Sequence, residues 1–450
     1  MKTIFINSLK CILSLSLVML LQFIFLSRAE SRSDHTFHFF GGMNPVGSGA
    51  RSLGFGGAFI GVCDDATASV WNPGGTIQLE YSEISIVFEH EKRTIDMNFS
   101  ETHAASGHYP IQLDNLNFAS ASYKSRWRQR DFVLSLSYQM MYDLNKKENA
   151  TYPLHNILIH NFKKNTGNIK AVTPSFAFQL TPEISLGVSM NLYSDDWGCH
   201  WKTSVERITE SITDNSLWQK SQYKNTYQFN GKNFHIGLLI ALTQNLNLGL
   251  VYKTPYFADI YFNEQFQVNG NQNAPLKLYP EEQLALRMPQ SYGFGISWRP
   301  DYPNLRDSLT LALDIYRTDW QHYYIRHADG YEENLYASLP RSQCDETRPT
   351  YQVRAGVEYW LFNVFGNVSV PVRFGAFYDP EPTASTPDDF RGISLGTGVL
   401  KGRVALDIAW QFRWGNQVRK KQFFMNEDVF QDVRQHTLYC SMIYYFAHMK

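Results

Sequence analysis

The sequence predicts an all-β protein, a fourteen-stranded antiparallel transmembrane β-barrel whose lumen holds an N-terminal plug. Composition is the first reason, because 15% of the residues are aromatic and 18% are charged, less than the usual quarter or so. The second is a series of segments of about ten residues in which apolar residues alternate with polar or small ones. The third is that the connections between these segments are alternately short and long, as in outer-membrane barrels.

The N-terminus has the composition of a secretory signal peptide. Lys2 and Lys10 are followed by the apolar run 12–26, and small residues precede a cleavage point after Ala29. A helical anchor is the alternative, but the run is shorter than the about 20 residues that span a bilayer. We therefore expect a signal peptide at 1–29, a plug at 30–80 and a barrel at 81–450.

Residues 41–79 are dense in glycine and contain no segment of barrel-strand length. Glycine permits tight turns and close backbone approach. A segment too small for its own core would be stable inside the lumen, so we expect it to be the plug, or hatch. A phosphate-binding loop is excluded, because 54–57 does not fit the glycine spacing and no Lys-Ser/Thr follows.

The barrel strands follow in order after residue 80. They are expected near 82–95, 113–124, 131–142, 170–180, 184–195, 233–242, 246–262, 284–299, 308–320, 350–361, 368–379, 391–400, 403–414 and 435–446. Pro255 removes a ladder donor from 246–262, which we interpret as one kinked strand because two short strands would give an odd number. Short turns such as 181–183 are expected in the periplasm, and long loops such as 321–349 at the cell surface. Trp298, Trp320 and Trp360 lie near strand ends, as in an interfacial aromatic girdle.

Charge and motifs exclude several functions. With 41 Lys+Arg against 42 Asp+Glu, the chain lacks the basic excess of a nucleic-acid-binding protein. No cysteine–histidine spacing indicates a metal site, and we expect no cofactor. The GxSxG match at 392–396 lies in an alternating strand instead of a strand–turn–helix, so we expect no catalytic residue. Cys199 and Cys344 both fall in predicted surface loops of an oxidising compartment, where they are expected to pair.

Several runs resemble the N-terminal hatch of the FadL-type long-chain fatty acid transporters. They are 49–59 (GARSLGFGGAF), 64–68 (DDATA) and 71–74 (WNPG), and weaker similarities at 292–300, 311–314, 354–359 and 374–380 fall in family order. The family's Asn-Pro-Ala is Asn72-Pro73-Gly74 here. The resemblance implies a hatch-plugged barrel that passes hydrophobic molecules inward without energy input, with fatty acids as the leading substrate. The partners it implies are that ligand, outer-membrane lipids and the barrel-assembly machinery.

Three sets of residues are candidates for this function. Asp64, Asp65, Asn72 and Pro73 are the hatch residues expected to shift, and the Asn72 amide can bridge hatch backbone and barrel wall. A lumen cation would hold a carboxylate head group, the candidates being Lys253, Arg354, Arg373, Arg403 and Arg413, although pairing with lumen carboxylates is the alternative. Helical spacing in loop 196–232 suggests a capture site or ordinary loop packing, with the residues Ile208, Ile212, Leu217 and Trp218.

Two other functions remain open from the sequence. A surface-exposed binding or adhesion barrel without a transport role would use the long loops as its active part. A general porin for polar solutes is disfavoured by the plug, because a plugged lumen does not conduct freely.

Overall fold

The structure is a computed structural model that describes residues 44–99, 107–154, 156–212, 218–270, 274–300, 308–335, 339–340, 347–364, 366–383, 387–421 and 428–446. The predicted signal peptide, and the plug residues before 44, lie outside these ranges. The barrel strands, numbered in chain order, are β1 Ser82–Phe99, β2 Gly107–Trp127, β3 Arg130–Asp143, β4 Asn168–Gln179, β5 Ile184–Tyr193, β6 Trp218–Thr243, β7 Leu246–Lys253 with Tyr256–Gly270, β8 Glu282–Met288 with Ser291–Trp298, β9 Ser308–Thr318, β10 Thr350–Leu361, β11 Val368–Tyr378, β12 Arg391–Lys401, β13 Val404–Lys421 and β14 Asp428–Phe446.

The fourteen strands form one closed antiparallel sheet. Each strand pairs with its neighbours in chain order, and β14 returns to pair with β1 from Ser82–Phe446 to Phe99–Val429. Closure leaves no free edge within the barrel, which a strand backbone in hydrocarbon requires. The predicted number of strands, and the kinked seventh strand, are confirmed.

The two faces of the wall have the polarity of a membrane barrel. In β5, Ser185 and Ser189 face inward and are buried, whereas Leu186 and Val188 face outward and are each 37% exposed. The same pattern recurs on β9, where Asp314 is buried between the exposed Leu313 and Ile315. A soluble sandwich would bury the apolar face instead, so this distribution excludes it. No helix among the described residues is long and apolar enough to cross a membrane.

The wall is interrupted at one height in two adjacent strands. β7 breaks at Thr254–Pro255 and β8 breaks at Pro289–Gln290. The β7–β8 ladder therefore stops after the Lys253–Ser291 pair and resumes with Tyr256–Met288. Proline has no N–H to donate to a ladder, so both breaks follow from the sequence. We call this feature the double-proline break.

Four of the long connections carry strands of their own. Lys146–Leu154, Ile157–Thr166 and Lys202–Ser211 pair in that order and extend the sheet onto the upper part of β6, and Ala274–Leu278 pairs with β7. Tyr324–Arg326, Glu332–Asn334 and Leu339–Pro340 form a small sheet against β8. Short 3₁₀ helices lie at Asp195–Trp197 and Trp320–His322.

The described part of loop 196–232 does not form the amphipathic helix that its spacing suggested. Ile208 belongs to the strand Lys202–Ser211, which is paired on both sides. That strand is rich in the β-branched residues Val, Ile and Thr, which fit a pleated sheet better than a helix. Ile212 and Trp218 are exposed at the ends of the two strands, and Leu217 lies outside the described residues.

The hatch comprises residues Asn44–Leu79 of the described chain. It contains α1 Ala50–Gly54, α2 Ala68–Trp71 and a 3₁₀ helix Pro73–Gln78. Pro73 begins the 3₁₀ helix, where its missing N–H costs nothing, and the Asn72 side chain caps it by accepting from Gly74 N. Hatch and barrel belong to one compact unit.

The expected Cys199–Cys344 disulfide is wrong for Cys199. Its thiol is free and buried, and it donates to Ser194 O at 3.3 Å. Cys344 lies outside the described residues. Cys199 follows the 3₁₀ helix Asp195–Trp197, whose turn directs the thiol into the wall, away from solvent.

Candidate ligand-binding cavity and hatch

The hatch touches the barrel wall through glycines. On seven of the eight strands β5–β12 an inward glycine lies so close to the hatch that a methyl group on it would overlap hatch atoms or press against them. The glycines are Gly187, Gly237, Gly249, Gly295, Gly356, Gly375 and Gly396. Because wall and hatch backbones approach this closely only without side chains, we call this set the glycine belt. It fixes the hatch against one side of the lumen.

Asn72 joins the hatch to the wall by hydrogen bonds. Its amide nitrogen donates to Ile60 O at 2.9 Å within the hatch and to Leu238 O at 3.1 Å on β6. Asn72 is fully buried, so water cannot reach its amide group. These two bonds therefore satisfy both N–H groups of the side chain. The expected bridge between hatch backbone and wall is therefore present, and its part in gating stays a prediction.

Asp64 sits in a chain of ion pairs that crosses the lumen. Arg299 and Arg51 both bind Asp64, at 2.6 and 2.5 Å, and Arg51 then forks onto Glu358 at 2.8 and 2.9 Å. Arg373 continues the chain, binding Glu358 and Asp407 at 2.6 Å each. Burial alone would raise the pKa of Asp64, but Arg51 and Arg299 outweigh it and hold that pKa below its usual value.

Asp65 has a different environment from its neighbour. Its carboxylate accepts from the Thr67 amide at 2.9 Å and from the Thr67 hydroxyl at 2.5 Å, and Arg51 lies 3.8 Å away. Burial raises the pKa of Asp65, and Arg51 offsets this only in part. Asp64 thus holds hatch to barrel, whereas Asp65 shapes the turn before α2.

Three of the five candidate lumen cations are either paired or outside the lumen. Arg373 is 1% exposed and forms ion pairs with both Glu358 and Asp407. Arg413 binds Glu381 at 2.9 Å and lies 3.8 Å over the Phe390 ring. Arg403 is exposed in the turn before β13, so the expectation that it faces the lumen is wrong. The alternation that suggested it holds only from Val404, where the strand begins.

The other two candidates, Lys253 and Arg354, line the same cavity. It has a volume of about 60 Å³ and lies between the hatch residues Pro45–Gly47 and Val70–Trp71 and the inner faces of β3 and β6–β10. Its remaining lining residues are Met141, Tyr142, Asn233, His235, Tyr256, Met288, Pro289, Ser291, Tyr316, Thr318, Trp320 and Gln352. Trp320 is 1% exposed, so its expected place in the aromatic girdle is wrong.

Unpartnered polar groups converge on this cavity. His235 Nδ1 and Tyr316 Oη are buried and have no hydrogen-bond partner in the described part of the chain. Lys253 Nζ lies 5.3 Å from the centroid of the Tyr316 ring, and none of the described carboxylates forms an ion pair with it. Arg354 is held by Gly56 O at 3.3 Å and Asp379 at 3.5 Å. Buried polar groups normally have partners, so these groups indicate a binding site.

Aromatic side chains lead from the long-loop end of the barrel to the cavity. Inward rings of β5–β7, together with Trp201 of the connection between β5 and β6, form pairs whose centroids lie 4.3 to 5.7 Å apart. The pairs are Tyr223–Phe266, Trp201–Tyr227, Tyr227–Phe262, Tyr193–Phe229 and Tyr193–Tyr256, of which Tyr256 lines the cavity. We call this set the aromatic ladder.

A family model described as outer membrane protein transport protein (OMPP1/FadL/TodX) matches residues 49–438. The match runs from the hatch into β14. The chain belongs to this family. No curated protein matches it in a sequence comparison.

Solved structures show the same fold as this OMPP1/FadL/TodX family member. A Pseudomonas aeruginosa FadL homologue superposes with a TM-score of 0.61 at 14% identity, covering 91% of this chain and all of that one. The P. putida toluene transporter TodX gives 0.58 at 15%, covering 89% and 99%. The CymD monoaromatic hydrocarbon channel gives 0.53 at 15%, covering 90% and 99%.

As a member of the OMPP1/FadL/TodX family, the chain is an outer-membrane β-barrel channel for hydrophobic compounds in a diderm bacterium. Family members are transport channels and not enzymes. Ser394 of the GxSxG match accepts from Gly56 N at 3.0 Å and donates to Gly54 O at 2.9 Å, so it anchors the hatch. Among the described residues no group of His, Cys, Asp or Glu could hold a metal ion.

Sequence reasoning missed several residues of the cavity. His235, Tyr316 and Met288 come from three different strands, and nothing in their local patterns distinguishes them from other inward residues. A usable signal was the pair of prolines, because Met288 directly precedes Pro289 and Lys253 lies two residues before Pro255.

Proposed function

We propose that this channel carries amphipathic hydrophobic molecules with an anionic head group, long-chain fatty acids first, passively into the cell. One observation carries the proposal: Lys253, without a carboxylate partner among the described residues, and Arg354 line one cavity together with apolar and aromatic side chains such as Met141, Met288 and Trp71. Two cations can hold a carboxylate by charge-assisted hydrogen bonds. The apolar lining would bury the adjoining chain.

The aromatic ladder supports a route from the surface to this cavity. An alkyl chain gains about 0.8 kcal/mol for each CH₂ taken out of water. A ligand captured among the long loops would descend along Phe266, Phe262 and Tyr256 to Lys253. The head group would then meet the unpartnered atoms of His235 and Tyr316.

Passage beyond the cavity requires movement of the hatch. A volume of about 60 Å³ holds about two waters, far less than a fatty acid. On its cavity side the hatch presents Val46, Gly47 and Trp71. We therefore place the shift in the parts of the hatch around Asp64, Asp65, Asn72 and Pro73 that connect this side to the wall.

We place the opening for an apolar ligand at the double-proline break. A watery exit would serve apolar cargo poorly, and the wall there lacks ladder bonds between β7 and β8. Lys253, Tyr256, Met288 and Ser291 flank the break and also line the cavity. A ligand held by Lys253 thus lies beside the weakest pairing of that wall.

Monoaromatic hydrocarbons are the second candidate ligands. The stacked rings of the aromatic ladder favour planar ligands, since aromatic pairs gain about 0.5–1.5 kcal/mol beyond area burial. Two of the similar solved structures are described as a toluene transporter and a monoaromatic hydrocarbon channel. A toluene-like ligand has no head group, so it would not need Lys253.

Lys253→Met distinguishes the two ligand classes. Losing a charged hydrogen bond of about 1.5–3 kcal/mol should lower the affinity for oleate by about ten- to a hundredfold, and leave toluene binding unchanged. The measurement is equilibrium binding of labelled oleate and of toluene to purified protein. Arg403→Met is the matched control, because Arg403 is exposed in a turn.

The outcomes separate the hypotheses. Unchanged oleate affinity in Lys253→Met, with saturable toluene binding, would assign the channel to aromatic compounds. Absence of binding and of uptake for both ligands would instead favour the adhesion barrel.

A further inference from the structure

The outer surface of the barrel carries a groove of about 490 Å³. It crosses the outward faces of β6–β10 and is separate from the lumen cavity on the other side of the same wall. Apolar side chains line it, among them Leu250, Phe294 and Ile315, which are 39%, 43% and 41% exposed. Tyr252 and Tyr292 stack at 5.2 Å at the end nearer the long loops.

Arg317 lines the groove at the end nearer the long loops. Arg317 faces outward opposite Tyr292, with 46% of its side chain exposed, and one guanidinium nitrogen lies 2.9 Å from Asp319. Farther along toward the long loops, Arg287 and Arg326 each lie 4.9 Å from the centroid of the Phe257 ring. Of these three arginines, Arg287 pairs with none of the described carboxylates.

We propose that this groove is a binding site for a membrane lipid with a phosphorylated head group. An acyl chain would lie along Leu250, Phe294 and Ile315, and the phosphate would bind Arg317, with Arg287 within the same head-group layer. Arginine suits this role because its planar fork matches phosphate oxygens. Tyr252 and Tyr292 mark the height of the interface, where aromatic rings are enriched.

The arrangement favours a lipid over a second copy of the chain. Two copies in one membrane share their orientation, so groove-to-groove packing would place Arg317 against Arg317 at the same height. Like charges brought together in this way repel. A phosphate has the opposite charge, and a basic side chain near an anionic lipid surface gains about 1 kcal/mol.

Photo-crosslinking of the full-length protein in the outer membrane tests the proposal. Leu250→p-benzoylphenylalanine places the reactive group in the groove. Leu136→p-benzoylphenylalanine is the matched control, because Leu136 is an outward leucine on β3, away from the groove, and is 56% exposed. Adducts are identified by mass spectrometry, and heat-modifiable migration in gels verifies that each barrel is folded.

We expect a phosphorylated-lipid adduct at position 250 in several-fold excess over position 136. Arg317→Gln should remove most of that excess, because one charge-assisted bond to the phosphate is lost, without changing oleate binding. Equal adducts at both positions, or an excess that Arg317→Gln does not change, would overturn the proposal. A protein–protein adduct at 250 would assign the groove to a second copy, and a fatty acid adduct would assign it to transported ligand.

Discussion

Asn72 is the residue through which one side chain connects the hatch to the wall. It donates to carbonyl oxygens of both and also caps the 3₁₀ helix that follows. A shift of the hatch past β6 must break the bond to Leu238 O and, on return, form it again. The geometry of one amide therefore sets the resting position of this part of the hatch.

Replacing this amide should impair transport without impairing the barrel. Asn72→Ala removes both donated bonds and the cap on Gly74 N, and each lost hydrogen bond costs about 0.5–1.5 kcal/mol. We expect slower uptake of labelled fatty acid, with normal barrel assembly and surface display. Asn263→Ala is the control, because Asn263 is an exposed residue of β7. Normal uptake in Asn72→Ala, and again after removal of residues 41–75, would reject the gated hatch and favour the adhesion barrel.

For single residues, the sequence predicts what a side chain can do chemically, but it does not predict which other side chains surround it. The hatch motif singled out Asn72, and its amide chemistry predicted the bridge. Arg373 and Lys253 both carry a positive charge on inward positions, yet Arg373 has two carboxylate partners and Lys253 has none among the described residues. That difference depends on strands that are far apart in the chain, so local patterns could not predict it.

The glycine belt governs the contact between two elements, the hatch and the strands β5–β12. Gly356 and Gly375 are directly paired across β10 and β11, and the hatch backbone at Phe55–Gly56 lies against both. No side chain separates the two backbones there. The contact consequently tolerates no added volume.

Gly375→Ala should loosen the hatch. The new methyl group would overlap Gly56 N, and overpacking of this kind costs about 1–3 kcal/mol. We expect faster proteolysis within the hatch and a leak of small ions in planar bilayers. Ala376→Val adds volume on the outward side of the same strand, where lipid can yield, and should leave both properties unchanged. If the Gly375→Ala protein leaks no more ions and is cleaved no faster than the parent, the glycine belt does not hold the hatch.

Elements differ in how far local sequence determines them. Alternation and connection lengths predicted the barrel strands, because a membrane wall imposes both over the whole strand. The residues 202–211 allowed a helix by their spacing, and strand pairing with Ile157–Thr166 and β6 overrode it. Pairing partners so distant in sequence leave no local signal.

The whole molecule combines a closed barrel with an occupied lumen. Ion pairs, the glycine belt and hydrophobic contacts join the hatch to most of the strands. A molecule of this construction should pass ligands one at a time, with no continuous aqueous path.

Planar-bilayer recordings test this property. The complete protein should show no steady conductance, because the hatch fills the lumen. Removal of residues 41–75 should produce open-pore currents, since the remaining wall encloses an unfilled space. Steady conductance of the intact protein would instead identify a general porin.

The closure of β1 on β14 has a consequence for biogenesis. These strands are more than 300 residues apart, so the ring can close only after the last strand has been delivered. The hatch precedes every strand in the chain, and its contacts with the wall leave no room to thread it through a finished barrel. We therefore expect the hatch to lie within the growing wall before the ring closes, so that docking of the hatch and closure of the barrel belong to one assembly process.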